Sequence, residues 1–250
     1  MRIRLLTFDE CPSGPEAHRV LQEVLDQEGL SVPIERVEIP DIATACREGF
    51  LGSPSIQIDG LDIEESRRGD QACHGCRLYR GESVATGVPP RELIRSALRR
   101  ASGPKMKVLF LCTGNSCRSQ MAEGWARALK GDVIQPYSAG VETHGLNPNA
   151  VRLMAEAGVD IGKHQSKTVE AVRDVPFDYV VTVCGHANEN CPMWLGQKSK
   201  VVHVGFDDPP TLAKAARTEE EALAHYRRVR DEIRAFVQTL PESLTGRTEP

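Results

Sequence analysis

The apolar run Lys107-Val108-Leu109-Phe110-Leu111 ends in Cys112, and Thr113-Gly114-Asn115-Ser116-Cys117-Arg118-Ser119 follows at once. A helix-like segment, Gln120 to Leu129, comes next. This order predicts a buried strand, a tight loop and the first turn of a helix. Such a loop aims several backbone N–H groups at one point, and the helix dipole adds positive potential there. A tetrahedral oxyanion fits that point. Cys112 lies beneath it, where a thiolate is stabilised, and Arg118 offers a planar fork that can clamp two oxygens. A nucleophile under a cradled oxyanion describes covalent attack on phosphorus or arsenic. The plainer reading is a buried core cysteine. That reading leaves the order strand, glycine-containing loop, Arg-Ser, helix without a reason.

The rest of the chain narrows the setting. At 250 residues it can hold one large or two ordinary domains. A formal charge of −4 with 26% charged residues gives no basic stripe, and 5% aromatics leave few surfaces for stacking bases, so a nucleic-acid partner is not expected. No apolar run approaches membrane-spanning length and no apolar signal core opens the chain, so neither a membrane association nor export is expected and a cytoplasmic location follows. The eight cysteines, at 11, 46, 73, 76, 112, 117, 184 and 191, then point to redox or metal chemistry rather than to a disulfide scaffold.

In the N-terminal part, residues 2–8 predict a strand, and Ser13-Gly14-Pro15-Glu16 a capping box. The helix that follows carries Ala17, Val20, Leu21, Val24 and Leu25 on one face and stops at Gly29. A strand over 34–39, a short helix over 42–48, a strand led by Pro54 and turned at Asp59-Gly60 into a partner over 61–64, and a helix over 91–100 complete it. The order strand, helix, strand, helix, strand, strand, helix resembles the thioredoxin-like fold, with Cys11 at the start of the first helix and Pro54 before the third strand. The resemblance implies that Pro54 is cis and lies beside Cys11. The chain departs from that family at Cys11-Pro12-Ser13-Gly14, which lacks the second cysteine of the dithiol. A separate pair, Cys73-His74-Gly75-Cys76, follows the hairpin and is open to three readings: thiol relay, capture of arsenite or mercury together with Cys11, or no role. Cys46 is assigned none.

Ala101-Ser102-Gly103-Pro104-Lys105 is the best linker. It divides the chain into a domain over 1–102, a linker over 103–106, a second domain over 107–240 and a flexible tail over 241–250. In the second domain, helices ending at Gly131 and Gly158 and one opened by Thr218-Glu219-Glu220-Glu221 alternate with strands over 133–138, 178–183 and 200–204. The alternation predicts an α/β fold whose parallel sheet is covered by helices on both faces. Ligands of such sheets bind beyond the carboxyl ends of the strands, where Cys112 and Cys184 both fall.

C-T-G-N-S-C-R-S-Q-M-A-E-G-W, from Cys112 to Trp125, resembles the active-site loop of thioredoxin-coupled arsenate reductases, which share a fold with low-molecular-weight tyrosine phosphatases. V-T-V-C-G-H-A-N-E-N-C-P, ending at Pro192, is similar to the redox segment of the same family. The resemblance implies that residues 113–119, Thr113, Gly114, Asn115, Ser116, Cys117, Arg118 and Ser119, bind arsenate, with phosphate or sulfate as competitors. It implies that Cys112, Cys184 and Cys191 pass a disulfide along, with a thioredoxin or similar thiol reductant as partner and no cofactor or metal. Asp208, before Pro209, matches the family's general acid. Pro210-Thr211 stands where the phosphatases carry tyrosines, which favours a small inorganic substrate. Asn115, Glu123 and Ser138 match the ligands of potassium-binding members, but Lys167 replaces an aspartate ligand, and its ammonium can stand in for the cation. A phosphatase-type hydrolase, needing only Cys112, Arg118 and Asp208, is the alternative enzyme.

Overall fold

In strand β1 (Ile3–Thr7), Ile3 and Leu5 turn to one face of a sheet and Leu6 to the other, as the two-residue period of a strand requires. Two cores form accordingly. Helix α1 (Gly14–Gln27) lays its buried stripe, Ala17, Val20, Leu21, Val24 and Leu25, on the Ile3 and Leu5 face, joined by Ile94, Ala97 and Leu98 of α3 (Arg91–Ser102). Leu6 packs instead with Ile39, Ala45 and Phe50, Ala45 belonging to α2 (Ile42–Glu48). Each fully buried Leu or Ile contributes about 1.5–3 kcal/mol relative to exposure.

The computed structural model describes residues 1–80, 85–190 and 199–246, in two units, Met1–Pro104 and Lys105–Pro250. In the first, β1 pairs in parallel with β2 (Ile34–Glu38) and antiparallel with β3 (Ser55–Ile58), which turns through Asp59 and Gly60 into β4 (Leu61–Asp62). The strand order is β2-β1-β3-β4. Asp59 and Gly60 have φ of 51° and 85°, the left-handed pair that a tight hairpin needs. The Ser53–Pro54 peptide is cis. A small pairing of β5 (Tyr79–Arg80) with β6 (Ala85–Thr86) has no counterpart in the sequence reading.

Two expectations here need correction. Ser13 occupies the N-cap position of α1, but its own φ and ψ are helical and its hydroxyl makes no capping bond; a cap side chain reaches the N–H groups only from extended backbone. Helix α3 runs on to Ser102 and the next strand begins at Met106, so the linker is Gly103-Pro104-Lys105.

The second unit is an all-parallel sheet of order β10-β9-β7-β8, made from β7 (Met106–Cys112), β8 (Ile134–Gly140), β9 (Tyr179–Thr182) and β10 (Lys200–His203). Consecutive residues of β7 and β9 are buried, which means that both faces of the sheet are covered. Helix α4 (Arg118–Lys130) packs on β7 and β8, while α6 (Gly185–Glu189) packs on β7 and β9. Asn147 caps α5 (Pro148–Glu156) through its side chain, Asp208 caps α7 (Pro209–Ala213), and Thr218 caps the long α8 (Glu219–Gln238). Along α8, Leu223, Tyr226, Val229, Ile233 and Val237 are buried, with Phe236 at the margin. The tail expected from 241 onward instead begins with a helical turn, α9 (Glu242–Thr245), whose Leu244 is 2% exposed. Leu244 joins the core of this unit, and that contact holds the turn. No helix of the described residues is long and apolar enough to cross a membrane.

Candidate active site

Strand β7 ends at Cys112, which is 4% exposed. The carbonyls of residues 112–117 each accept a hydrogen bond from outside the loop. Val141 N–H donates to Cys112 O (3.1 Å), Glu142 N–H to Thr113 O (2.9 Å) and His144 N–H to Gly114 O (3.0 Å). Gln120 Nε2 donates to Asn115 O (3.2 Å), Asn147 N–H to Ser116 O (3.0 Å) and Met121 N–H to Cys117 O (2.9 Å). In a trans peptide the C=O and the next N–H point in opposite directions. Holding the carbonyls of 112–117 from outside therefore turns the N–H groups of 113–118 away from those partners. One of them reaches the sulfur itself: Asn115 N–H donates to Cys112 Sγ at 3.1 Å, and Ser119 Oγ lies 2.9 Å from the same atom.

Asn115 is the keystone of this loop. Its φ of 44° is left-handed, a region that asparagine tolerates better than most residues. Its buried side chain donates to Ser119 Oγ (2.9 Å) and accepts from Gln120 Nε2 (2.9 Å) and Lys167 N–H (2.8 Å). Gln120 is held in turn by His164 Nδ1 at 3.0 Å, and burial pushes the His164 imidazole below its ordinary value. Gly140, at the end of β8, lies against the loop so closely that a Cβ would meet Thr113 O at 2.7 Å and Asn115 N at 2.8 Å. The sequence reading missed Gln120, His164 and Gly140 as parts of the site. Nothing in linear spacing reveals that a strand end approaches a loop.

Cys117, the N-cap residue of α4, is buried, and that burial pushes its thiol far up, which suits a shaping role and not a nucleophile. Arg118 opens the helix. Its Nη1 donates to Phe206 O (3.0 Å) and its Nη2 pairs with Asp208 Oδ1 (2.9 Å). The expected clamp and the expected acid thus hold each other. Asp208 Oδ2 accepts from Thr211 Oγ1 at 2.6 Å. The neighbouring Asp207 pairs with Arg228 (2.7 Å), away from the loop.

Register places the second thiol. Leu111 pairs with Thr182, and Val183 N–H donates to Leu111 O (2.9 Å), so Cys184 leaves the sheet at the same end as Cys112. Its buried Sγ lies 3.4 Å from Thr113 Oγ1, the hydroxyl of the residue after Cys112, and that oxygen is 3.3 Å from His186 Nδ1. Cys191 lies outside the described residues. At the matched potassium ligands, the buried Glu123 carboxylate receives Ser138 Oγ (2.6 Å) and Arg127 Nη2 (2.7 Å), with Lys167 Nζ at 3.9 Å.

Residues 107–248 match the low molecular weight phosphotyrosine protein phosphatase family, more than half of the chain. The chain belongs to that family. Within it, the matched unit is similar to proteins named arsenate reductase. The one from Halalkalibacterium halodurans is 52% identical over 139 residues, which is 56% of this chain and 97% of the relative. The one from Bacillus subtilis is 54% identical over 126 residues, 50% of this chain and 88% of the relative. A solved arsenate reductase in the phosphate binding state is 31% identical, covers 55% of this chain and 98% of its own, and has a TM-score of 0.46.

The N-terminal thiols belong to the other unit. Cys11 is 9% exposed, in the turn that enters α1, while Cys73 and Cys76 are exposed. Among the described residues no three His, Cys, Asp or Glu side chains converge as a metal site. Cys11, Cys73 and Cys76 thus do not assemble the three-thiol arsenite or mercury site that the sequence allowed. Cys73 N–H is tied to Phe50 O (2.9 Å) while Cys76 pairs with Ser53, so backbone anchors separate the two.

Proposed function

We propose that the phosphatase-family unit reduces arsenate to arsenite by a thiol relay. The observation that carries this reading is the second buried thiol at the same sheet end: Cys184 touches Thr113 in the loop that cradles Cys112. Hydrolysis of a phosphate ester has no use for it. The Cys112 thiolate attacks arsenic, Asp208 supplies a proton to the departing oxygen, and water leaves a Cys112–arsenic(V) adduct. N–H groups of 113–118 and Arg118 hold the remaining oxygens. The Cys184 thiolate then attacks Cys112 Sγ. The sulfur–arsenic bond breaks, its electron pair stays on arsenic, and arsenite departs, leaving a Cys112–Cys184 disulfide. Cys191 attacks Cys184 and releases Cys112, and an external dithiol such as a thioredoxin returns two electrons. A cytoplasmic, thiol-reducing compartment suits this cycle.

Arsenate-dependent NADPH consumption with thioredoxin and thioredoxin reductase tests the assignment, with hydrolysis of a phosphate ester as the control. Cys112→Ser abolishes both activities, and Cys184→Ser abolishes sustained reduction alone. Normal reductase turnover by Cys184→Ser sinks the relay and leaves a phosphatase.

The unit over 1–102 is read as a thioredoxin-like domain that serves the same cycle. The strand order β2-β1-β3-β4, the helix entered at Cys11 and the cis Ser53–Pro54 peptide support the reading. A tethered thiol domain works at an effective concentration near the millimolar range for a short linker. With limiting external reductant, Cys11→Ser slows arsenate turnover; unchanged turnover removes the N-terminal unit from the cycle.

A further inference from the structure

We infer that the resolving thiol for Cys11 is Cys76, so that these two residues, 65 positions apart, form the redox pair that Cys11-Pro12-Ser13-Gly14 lacks. The inference deepens the reading of the N-terminal unit as a thiol relay and rests on it. Arg77 is a fully buried arginine. Arg77 donates from both terminal nitrogens to the Asp62 carboxylate, at 2.6 and 2.8 Å, and also to Ser55 Oγ (2.8 Å) and Glu64 (2.9 Å). Its guanidinium lies 4.5 Å from the centre of the Tyr79 ring, and the Tyr79 hydroxyl donates to Pro54 O at 2.8 Å. A charge buried this completely keeps its partners, because separation leaves an unpaired charge in the interior.

This anchor fixes the preceding residue. Ser53 N–H donates to Gly75 O (2.8 Å) and Arg77 N–H to Ser53 O (2.9 Å), which brackets Cys76 as the parallel partner of Ser53. The approach is tight: a Cβ on Gly52, whose φ is 112°, would lie 3.0 Å from Arg77 Cβ and 3.2 Å from Gly75 O. On the other side, Ser53 Oγ accepts from Phe8 N–H at 3.3 Å, at the point where β1 gives way to the turn carrying Cys11. The segment that brings Cys76 in also crosses that end of the sheet. The His74 ring stands 5.7 Å from the ring of Phe8, and its Nε2 bonds Ile39 O (2.9 Å) at the end of β2. These contacts bring the Cys76 segment to the end of β1 from which the turn carrying Cys11 departs, and Cys76 is exposed there.

The substrate class is a disulfide. The Cys11 thiolate attacks one sulfur of it, the substrate S–S bond breaks, and the leaving thiolate takes a proton from water. The Cys76 thiolate then attacks Cys11 Sγ, which frees the second substrate thiol and leaves a Cys11–Cys76 disulfide. An external dithiol reduces that disulfide and is itself oxidised.

The full-length chain incubated with oxidised glutathione and digested with trypsin tests this without reference to arsenate. Cleavage after Arg4, Arg19, Arg68 and Arg77 puts Cys11 in one peptide and both Cys73 and Cys76 in another. The expected product is a disulfide-linked pair of these peptides. It persists in Cys73→Ser and is lost in Cys76→Ser, which instead keeps glutathione on Cys11. A link that survives Cys76→Ser, a closed Cys73–Cys76 loop peptide as the sole product, or no link between the two peptides overturns the assignment. The relay is judged separately, by the turnover of Cys11→Ser.

Discussion

Replacing Gly140 by alanine separates the shape of the cradle from its stability. Gly140 has no left-handed φ, so alanine suits its backbone, and the added methyl is the whole perturbation. That Cβ would lie 2.2 Å from Glu142 O, 2.7 Å from Thr113 O and 2.8 Å from Asn115 N. Ordinary contact begins near 3.4 Å, so these atoms must retreat by 1.2, 0.7 and 0.6 Å. All three are backbone, and none can swing aside. Thr113 O is the acceptor of Glu142 N–H, and Asn115 N–H is the donor to Cys112 Sγ, so the retreat opens the loop at its centre. Overpacking of this kind costs about 1–3 kcal/mol, and a rigid backbone clash places it near the upper end. A displacement approaching 1 Å in the donor array lowers kcat/KM by about 10²-fold. Gly158→Ala is the control: its φ is 82° and no atom lies within 4 Å of the new Cβ, so it carries only backbone strain, about 1–2 kcal/mol. Urea denaturation and arsenate-dependent turnover are measured on both variants. Comparable losses of stability with a loss of kcat/KM in Gly140→Ala alone fit the argument. Equal kcat/KM in the two variants refutes it.

Arg118→Lys lowers kcat/KM for arsenate on the order of 10²-fold, because a point charge cannot span the two oxygens that a guanidinium fork reaches; an unchanged value takes Arg118 out of the site. Potassium titrated against sodium at constant ionic strength gives no saturable activation, since Arg127, Ser138 and Lys167 already surround the Glu123 carboxylate; a saturable rise contradicts this. His164 is held below its ordinary value by burial, so the unfolded chain takes the proton first on acidification. Its neutral form therefore supports stability fully above the unfolded value of about 6.5, and the support is lost as pH falls from there toward the folded value. Urea midpoints between pH 7.5 and pH 5 fall less steeply in His164→Gln than in the parent chain, and parallel curves reject the assignment.

Local signals carried far in this chain because they are local in origin. The buried stripe of α1, the limits of α2 and the Asp59-Gly60 turn follow from period and turn chemistry within a few residues. The strand–loop–helix around Cys112 was legible for the same reason, since the loop's N–H groups and the helix that follows are contiguous. That Cys112 and Cys184 work together is implied by the family resemblance alone; the parallel register of β7 with β9 sets both at one end of the sheet.

Tertiary structure decided what depends on distant approach. The loop is shaped from outside by Val141, Glu142, His144 and Asn147, whose N–H groups take its carbonyls, and by Gly140, whose missing side chain leaves the room. None of those bonds leaves a trace in spacing. Ser13 shows the reverse: a capping pattern that goes unused because the residue itself is helical. The Cys76 neighbourhood is the strongest case. Its sequence offers a Cys-His-Gly-Cys pair, but the ion pair between Arg77 and Asp62, fifteen residues apart, ties one cysteine to Ser53 and leaves the other with Phe50. A buried charge finds its partner through the fold, so only the folded chain shows which cysteine that anchor holds.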